Sequence, residues 1–430
     1  MNLSPEQMAN GRRNFLRAIA GVPAVAALGA AAMTKGPVRG GKVRVGFIGV
    51  GGQGRALLTR ADHNFVDVKA IADIRPDSLA AADDILKKKG QPPATHYVEF
   101  KEMLEKEDIE AIITAPPLWA HADIVTACLN AGKHVLCEKM MAKTRDGYTA
   151  MMDAATKNNR ILEIGYQRNY NPVYRSAYEG VMKTGQLGDI YQVRLSWARN
   201  GNWRRNQQIP SPGYDASKWG YPTWDHLMNW RLYWRYSEGL FAELGSHQVN
   251  AANWFLGKVP EKVQAMGGVY RFKDGREVPD HVFATFQYPG GVTGTFSSGE
   301  SNAFDERYEA FFGTKGTLII RNENEALLFD EGVSEARPTG VEVAPKGPGA
   351  LLETSETKPQ QAGGAAQQRA QTGAPAAQAI SPSTYEINAF ASAIRSGTPI
   401  NCGPEKASHS ASWTIAANEA LKTGQIVTIA

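Results

Sequence analysis

Between Lys42 and about Gly165, short apolar runs alternate with longer stretches of helical periodicity. The apolar runs fall at 43–48, 66–72, 110–114, 134–138 and 161–164, and helical stretches lie between them, notably Ala120 to Ala131 and Thr144 to Asn158. This alternation predicts a parallel, doubly wound sheet with both faces covered. From about Tyr166 the period changes. Val193, Leu195 and Trp197 alternate with Gln192, Arg194 and Ser196, and the runs from Val282 and from Val292 flank a Pro289-Gly290-Gly291 turn. Further runs at 261–270 and 308–320 add strands with no helices between them. That pattern predicts a largely antiparallel sheet, hence an α+β second domain. Residues from about 334 to 380 are rich in Pro, Gly, Ala, Gln and Thr and lack periodicity, which reads as an exposed insertion. An amphipathic helix beginning near Tyr385 is expected to dock back on the fold.

The first apolar run, Val43 to Ile48, feeds directly into Gly49-Val-Gly51-Gly52-Gln53-Gly54 and a helical stretch from Arg55. In Gly-x-Gly-x-x-Gly each glycine has a task. The first permits the tight strand-to-helix turn, the second lets backbone approach a pyrophosphate, and the third lets helix and strand pack closely. The helix N-terminus offers free N–H groups to the phosphates. The second run ends in Asp73, where a carboxylate bonds the ribose hydroxyls of NAD. Arg75, two residues on, suits the extra phosphate of NADP; NAD is favoured, with NADP open. The fold class is therefore α/β: a Rossmann domain over residues 36–165, then an α+β domain over 166–430.

The chain of 430 residues is 43 % hydrophobic and 21 % charged, with a formal net charge of +4. Most of that charge lies in the first 35 residues, which hold Arg12, Arg13, Arg17 and Lys35 against Glu6. The remainder carries no basic field suited to nucleic acid. Cys128, Cys137 and Cys402 lack metal-ligand or disulfide-framework spacing, and no metal site is expected. Gly11-Arg12-Arg13-Asn14-Phe15-Leu16-Arg17 is a twin-arginine pattern, followed by a small, weakly apolar run to Ala32. Residues 1–35 thus read as an export signal and linker, and the first 32 or so are left out of the fold assignment. The run is too short and alanine-rich for a stable membrane span. A periplasmic or otherwise extracytoplasmic protein is expected.

Four places resemble the Gfo/Idh/MocA oxidoreductases, which include glucose–fructose oxidoreductase and inositol dehydrogenase. They are the glycine loop, Thr114-Ala-Pro-Pro-Leu-Trp-Ala-His121, Ala131-Gly-Lys-His-Val-Leu-Cys-Glu138-Lys139, and Glu243-Leu-Gly245-Ser-His247. The resemblance covers about Lys42 to Arg321 and the last 45 residues. Met140 stands where the family usually has proline, and Glu243 where it usually has aspartate. The resemblance implies that Lys139 and His247 share the handling of a hydroxyl proton. With the glycine loop, it implies cofactor contacts from Gly49, Gly51, Gly52, Gln53, Gly54, Asp73, Arg75, Pro116, His121, Glu138 and Lys139. It also implies a homo-oligomer, a dimer or tetramer.

Spacing adds detail. At about 100° per helical residue, Glu243, His247 and Asn250 fall within a strip of about 60°. Glu243 is therefore expected to orient His247 and raise its basicity, although a capped core histidine fits the spacing equally well. Tyr166 and Arg168, at the domain crossover, suit contact with substrate or cofactor, or a surface turn. Six of the nine tryptophans lie between 197 and 234. Some of them, Trp203 and Trp230 among them, are expected to bury the C–H face of a sugar; others fill the core.

These features predict a secreted NAD(P)-dependent oxidoreductase acting on a sugar, sugar derivative or cyclitol, with its cofactor tightly held. Two other readings stand beside it. One is an NAD-dependent glycosidase working by transient oxidation and elimination, faintly suggested by the Tyr221-Pro-Thr-Trp224 loop. The other is a non-catalytic sugar- or cofactor-binding protein, against which Lys139 and His247 argue.

Overall fold

The computed structural model describes residues 3–20, 40–206, 209, 213–331, 343–344, 351–352 and 380–429. The first sheet contains β1 (Val43–Ile48), β2 (Val66–Ala72), β3 (Thr95–Tyr97), β4 (Ala111–Thr114), β5 (His134–Glu138) and β6 (Leu162–Gly165). Their order is β3-β2-β1-β4-β5-β6, with every pair parallel. The strands bury both faces because their apolar residues have no polar alternation: Ile113 enters one core and Ile112 the other. Helices Gly52–Arg60 and Pro76–Lys88 lie on one side; His121–Asn130 and Arg145–Lys157 cover the other. The three-residue β3 and the seven-residue helix at 100–106 are too short to stand out in the sequence.

Register sets where the chemistry falls. Ile48 pairs with Ala72 and Thr114, and Thr114 pairs with Cys137. The strands therefore end in step, and Gly49, Asp73, Ala115 and Lys139 emerge along one edge. Strand order reverses between β1 and β4, and ligands bind at such a switch point.

The second sheet joins β7 (Ile190–Asn200), β8 (Lys262–Gly268), β9 (His281–Gln287), β10 (Thr293–Gly299), β11 (Ser301–Gly313), β12 (Gly316–Arg321) and β13 (Glu325–Asp330). Its pairs are antiparallel except β7–β10, which is parallel. The run at 308–320 is two strands, divided at Thr314 and Lys315. One face packs on helices Ser246–Leu256 and Pro404–Thr423 around Phe241, Phe296, Phe311 and Trp413. Two further short strands, β14 (Val343–Ala344) and β15 (Leu351–Leu352), pair with each other, while β16 (Val427–Thr428) extends the large sheet beside β8. The rest of the low-complexity stretch from about 334 to 380 lies outside the described residues, apart from Ile380.

Helix Pro382–Ser396 docks on the first domain and on the crossover turn Gln167–Tyr170. Ile387, Phe390 and Ala391 join the core beneath β1 and β2, and Arg395 binds both oxygens of Glu110 at 2.7 Å. That guanidinium holds the Glu110 carboxyl down at about 2. The C-terminal chain thus ties the domains together.

Residues 5–20 pack on the second domain. They form a helix that lies on β13, with Phe15 buried in the second-domain core and Arg12 paired with Glu325. Gly11 permits the approach, since a Cβ there would meet the Phe329 ring at 2.8 Å. The arginine pair therefore sits on a folded surface, where an apolar face had a partner to bury against. Residues 21–39 lie outside the described residues.

The glycine loop allows a paired test. A Cβ at Gly54 would overlap the Gly49 carbonyl oxygen, whereas one at Gly51, where φ is −61°, would meet nothing within 4 Å. Gly54→Ala is expected to cost about 3 kcal/mol in urea unfolding of the cofactor-free protein. Gly51→Ala should cost less than about 1 kcal/mol yet lose most NADH binding.

Candidate active site

The carboxyl edge of the first sheet faces the helix that carries His247, and a cavity of about 640 Å³ lies between them. Gly49, Gly51, Gly52, Gln53, Asp73, Arg75, Pro116, His121, Glu138 and Lys139 line it from the first domain. Trp230, Glu243 and His247 line it from the second. Gly54 lies beneath the loop, packed on the Gly49 carbonyl. Gly49 itself has φ of +78°, and a Cβ there would stand 2.8 Å from the Pro116 nitrogen.

The residues fit a dinucleotide. The space over Gly51 is open, and the helix starting at Gly52 presents its N-terminus to the cavity. The Asp73 carboxylate accepts the Val50 N–H at 2.7 Å and the Arg75 N–H at 2.8 Å, which fixes its orientation and leaves a lone pair on each oxygen for hydroxyls. Burial lifts its pKa to about 6 against the pull of those N–H groups and of Arg75. Arg75 is engaged by Asp77 and lies 5.4 Å from the Trp224 ring. Gln53 Nε2 donates to Glu138 at 2.6 Å, and burial raises the Glu138 carboxyl.

Lys139 follows β5 directly, and its peptide bond to Met140 is cis. The lysine Nζ donates to the Glu243 carbonyl at 3.0 Å and lies 3.9 Å from the Glu243 carboxylate. Arg231 Nε holds that carboxylate at 2.8 Å. His121 Nδ1 lies 2.9 Å from the Met140 carbonyl and Nε2 3.1 Å from the Pro116 carbonyl, and the neutral imidazole donates to one of them.

His247 is 7 % exposed. Burial, with Lys139, Arg168 and Arg307 nearby, pushes its pKa well below the ordinary histidine value. Its Nδ1 is buried without a hydrogen-bond partner among the described residues, and the residue lines the cavity. Tyr166 meets the imidazole edge-on, with ring centroids 5.8 Å apart, and Trp197 packs beside it at 5.9 Å.

The expected Glu243–His247 contact is not made. Phe241–Gly245 is a π-helical turn, and the α-helix begins only at Ser246. A π turn holds more residues than an α turn, so a spacing of four no longer returns to the same face. Glu243 turns to Arg231 and Lys139 instead. Other residues expected at the substrate also lie outside the cavity lining. Arg168 is buried between Glu309 and Glu323, within 2.9 Å of each. Asn250 is bonded to Asn169 at 2.8 Å and to Ser410 at 3.1 Å. Trp203 packs in the core under Arg199, and Tyr166 reaches the site only through the His247 ring. In each case a buried polar group or ring took an internal partner. Of the tryptophan cluster, Trp219 and Trp230 line the cavity. Tyr221 of the Tyr221-Pro-Thr-Trp224 loop lines it too, as do Trp119, Arg205 and Arg231, which the sequence did not mark as site residues. The position of Arg231 beside Trp230 was the available signal.

A doubly wound sheet with its glycine loop at the switch point, closed by an α+β domain, defines a two-domain nucleotide-dependent oxidoreductase. Residues 43–166 match the oxidoreductase family with an NAD-binding Rossmann fold, and residues 177–319 match the GFO/IDH/MocA C-terminal domain. The chain belongs to the Gfo/Idh/MocA family of NAD-binding oxidoreductases. Myo-inositol 2-dehydrogenase of Thermotoga maritima is 24 % identical over 298 residues, which is 67 % of this chain and 79 % of that protein. Scyllo-inositol dehydrogenase from Lactobacillus casei, solved with NAD(H) and scyllo-inositol, superposes over 90 % of this chain and 99 % of its own, with a TM-score of 0.63 at 19 % identity. Levoglucosan dehydrogenase in complex with NADH and L-sorbose does so over the same shares, with a TM-score of 0.67 at 19 % identity. These two likenesses establish the shared fold.

As pH falls through about 6, the Asp73 carboxylate takes up a proton and loses acceptor capacity for ribose hydroxyls. NADH affinity, followed by fluorescence titration, should therefore weaken over that window. Asp73→Asn should bind more weakly at neutral pH and show no such dependence.

Proposed function

We propose that the protein oxidises a CH–OH carbon of a sugar, sugar derivative or cyclitol, with NAD held tightly, after export by a twin-arginine signal. One observation carries the reading: Lys139 at the sheet edge and His247 from the second domain line the same cavity as the glycine loop. The relatives' activities on inositols and levoglucosan support cyclic polyols as the first substrates to try.

Bound NAD supplies a nicotinamide ring able to accept hydride from the carbinol carbon. The chain's residues handle the rest. His247 enters the reaction as neutral imidazole, because burial and three nearby cations oppose its protonation. Its Nε2 accepts the hydroxyl proton. Lys139 donates a hydrogen bond to the same oxygen and offsets charge developing there. The Glu243 carbonyl and the Arg231-anchored carboxylate aim the ammonium. The charges that keep His247 neutral also hasten release of the proton toward solvent. Trp119, Trp219 and Trp230 offer flat faces for a ring's C–H surface and exclude water.

Export and assembly are further parts of the proposal. The twin-arginine pattern supports export, and a compartment without free NAD calls for a retained cofactor. Among the described residues no helix is long and apolar enough to cross a membrane. Met266 and Phe283, exposed on neighbouring β8 and β9, support pairing of two copies through that face of the large sheet.

The test begins with the purified protein, which should release NAD on denaturation. A panel of pyranoses and cyclitols should then reduce the bound nicotinamide, read by its near-ultraviolet absorbance. His247→Ala and Lys139→Ala should each lower kcat by about 10²–10⁴-fold while retaining NADH binding. The acid limb of the wild-type pH profile should fall below the ordinary histidine value of about 6.5. Cleavage of a nitrophenyl glycoside without net NADH change would move the assignment to the eliminating glycosidase. Turnover unaffected by either substitution would overturn the proton-handling roles of His247 and Lys139.

A further inference from the structure

Arg205 enters the cavity from the second domain, in the segment after β7. Its main chain is fixed by one buried side chain. Asn229 Oδ1 accepts the Arg205 N–H at 2.6 Å, and Asn229 Nδ2 donates to the Arg205 carbonyl at 3.2 Å. Asp225 in turn holds Asn229 Nδ2 at 2.8 Å. From this anchor the side chain crosses the interdomain crevice. A Cβ built on Gly52 would lie 4.0 Å from Arg205 Nη2, and Gly52 is the first residue of the helix after the glycine loop.

Three other arginines near the glycine loop and the lysine have protein partners, whereas Arg60, which also lines the cavity, shows none among the described residues. Arg55 donates to the Val50 carbonyl at 3.0 Å, Arg75 is held by Asp77, and Arg231 by Glu243. The Arg205 guanidinium has no hydrogen-bond acceptor among the described residues. Among the charges that act on it most strongly, Arg231, Arg75 and Arg55 are of its own sign and Glu243 is opposite. An exposed guanidinium on an anchored backbone, set beside other cations and left without an acceptor among the described residues, suits an anion. The helix beside it presents N–H groups to the same point.

We propose that Arg205 clamps the pyrophosphate of NAD from the side opposite the glycine loop. This rests on the reading of the cavity as an NAD site. The loop supplies backbone donors to one side of the diphosphate, and Arg205 supplies its planar fork of N–H groups to the other. The nucleotide is thereby gripped by both domains, and its escape requires the Arg205 segment to part from the helix at Gly52. An arginine at this point also suits the phosphate of a phosphorylated substrate, so the test separates the two sources.

The measurement is ligand affinity of the cofactor-free protein by calorimetry or fluorescence. Arg205→Ala should weaken NADH and ADP-ribose alike, by about ten-fold or more, and speed NADH release. Adenosine, which lacks the diphosphate, should change by less than about two-fold. Arg205→Lys, which keeps the charge but loses the fork, should fall between. Asn229 bonds only the main chain of residue 205, so both variants should unfold at the wild-type temperature without ligand, with a smaller rise on adding NADH. Equal loss for adenosine and NADH would expose a merely structural role and overturn the proposal. So would NADH affinity within about two-fold of wild type, the result expected if Arg205 serves a substrate phosphate. Failure of the wild-type protein itself to bind NADH would instead sink the NAD reading on which the clamp rests.

Discussion

The site depends on one bond between domains: Lys139 Nζ donating to the main-chain carbonyl of Glu243 at 3.0 Å. An ammonium largely withdrawn from water needs acceptors. The second domain provides a carbonyl and, at 3.9 Å, a carboxylate. Satisfying the lysine therefore fixes how the π turn at Phe241–Gly245 meets the sheet edge. It also sets where His247, one turn further on, stands over the cavity.

From that bond the electrostatics follow. Glu243 is shared between Arg231 and Lys139, and those cations hold its carboxyl below the usual range despite burial. The imidazole next along the helix has no carboxylate partner among the described residues, and burial, with Lys139, Arg168 and Arg307 nearby, lowers its pKa. A histidine in this setting is a base that holds a proton poorly. The buried Arg168–Glu309 pair belongs to this arrangement as scaffold. It locks the crossover segment onto β11 and contributes its field from behind, without entering the cavity.

The first domain was legible in the sequence to a large degree. Parallel strands must be apolar on both faces, and the glycine loop has strict steric demands, so β1, β2, β4 and β5 and the positions of Gly49, Gly54, Asp73 and Lys139 could be read directly. The second domain was legible as a sheet, but not in detail. Period two does not distinguish one parallel neighbour from an antiparallel one, and the β7–β10 pairing arises from long connections. Side-chain partnerships were the least legible part. The helical-wheel placement of Glu243 beside His247 assumed an unbroken α-helix, and a π turn carries no composition signature. Arg168 and Asn250 fell on candidate segments, yet their partners, Glu309 and Ser410, lie more than a hundred residues away. The N-terminal helix escaped for a similar reason: the apolar face containing Phe15 is uninformative until β13 is there to receive it.

The central claim is that a carbinol carbon delivers hydride to a nucleotide held between these two domains, beside His247 and Lys139. Its most direct test is isotopic. Wild-type protein is incubated with inositols and pyranoses carrying deuterium at successive carbinol carbons, and the cofactor is then released and weighed by mass spectrometry. Deuterium is expected in the nicotinamide from one labelled position of an accepted substrate, and at a rate about 10²–10⁴-fold lower in His247→Ala. A cofactor that stays unlabelled with every cyclic polyol, while remaining bound to intact protein, would contradict the claim.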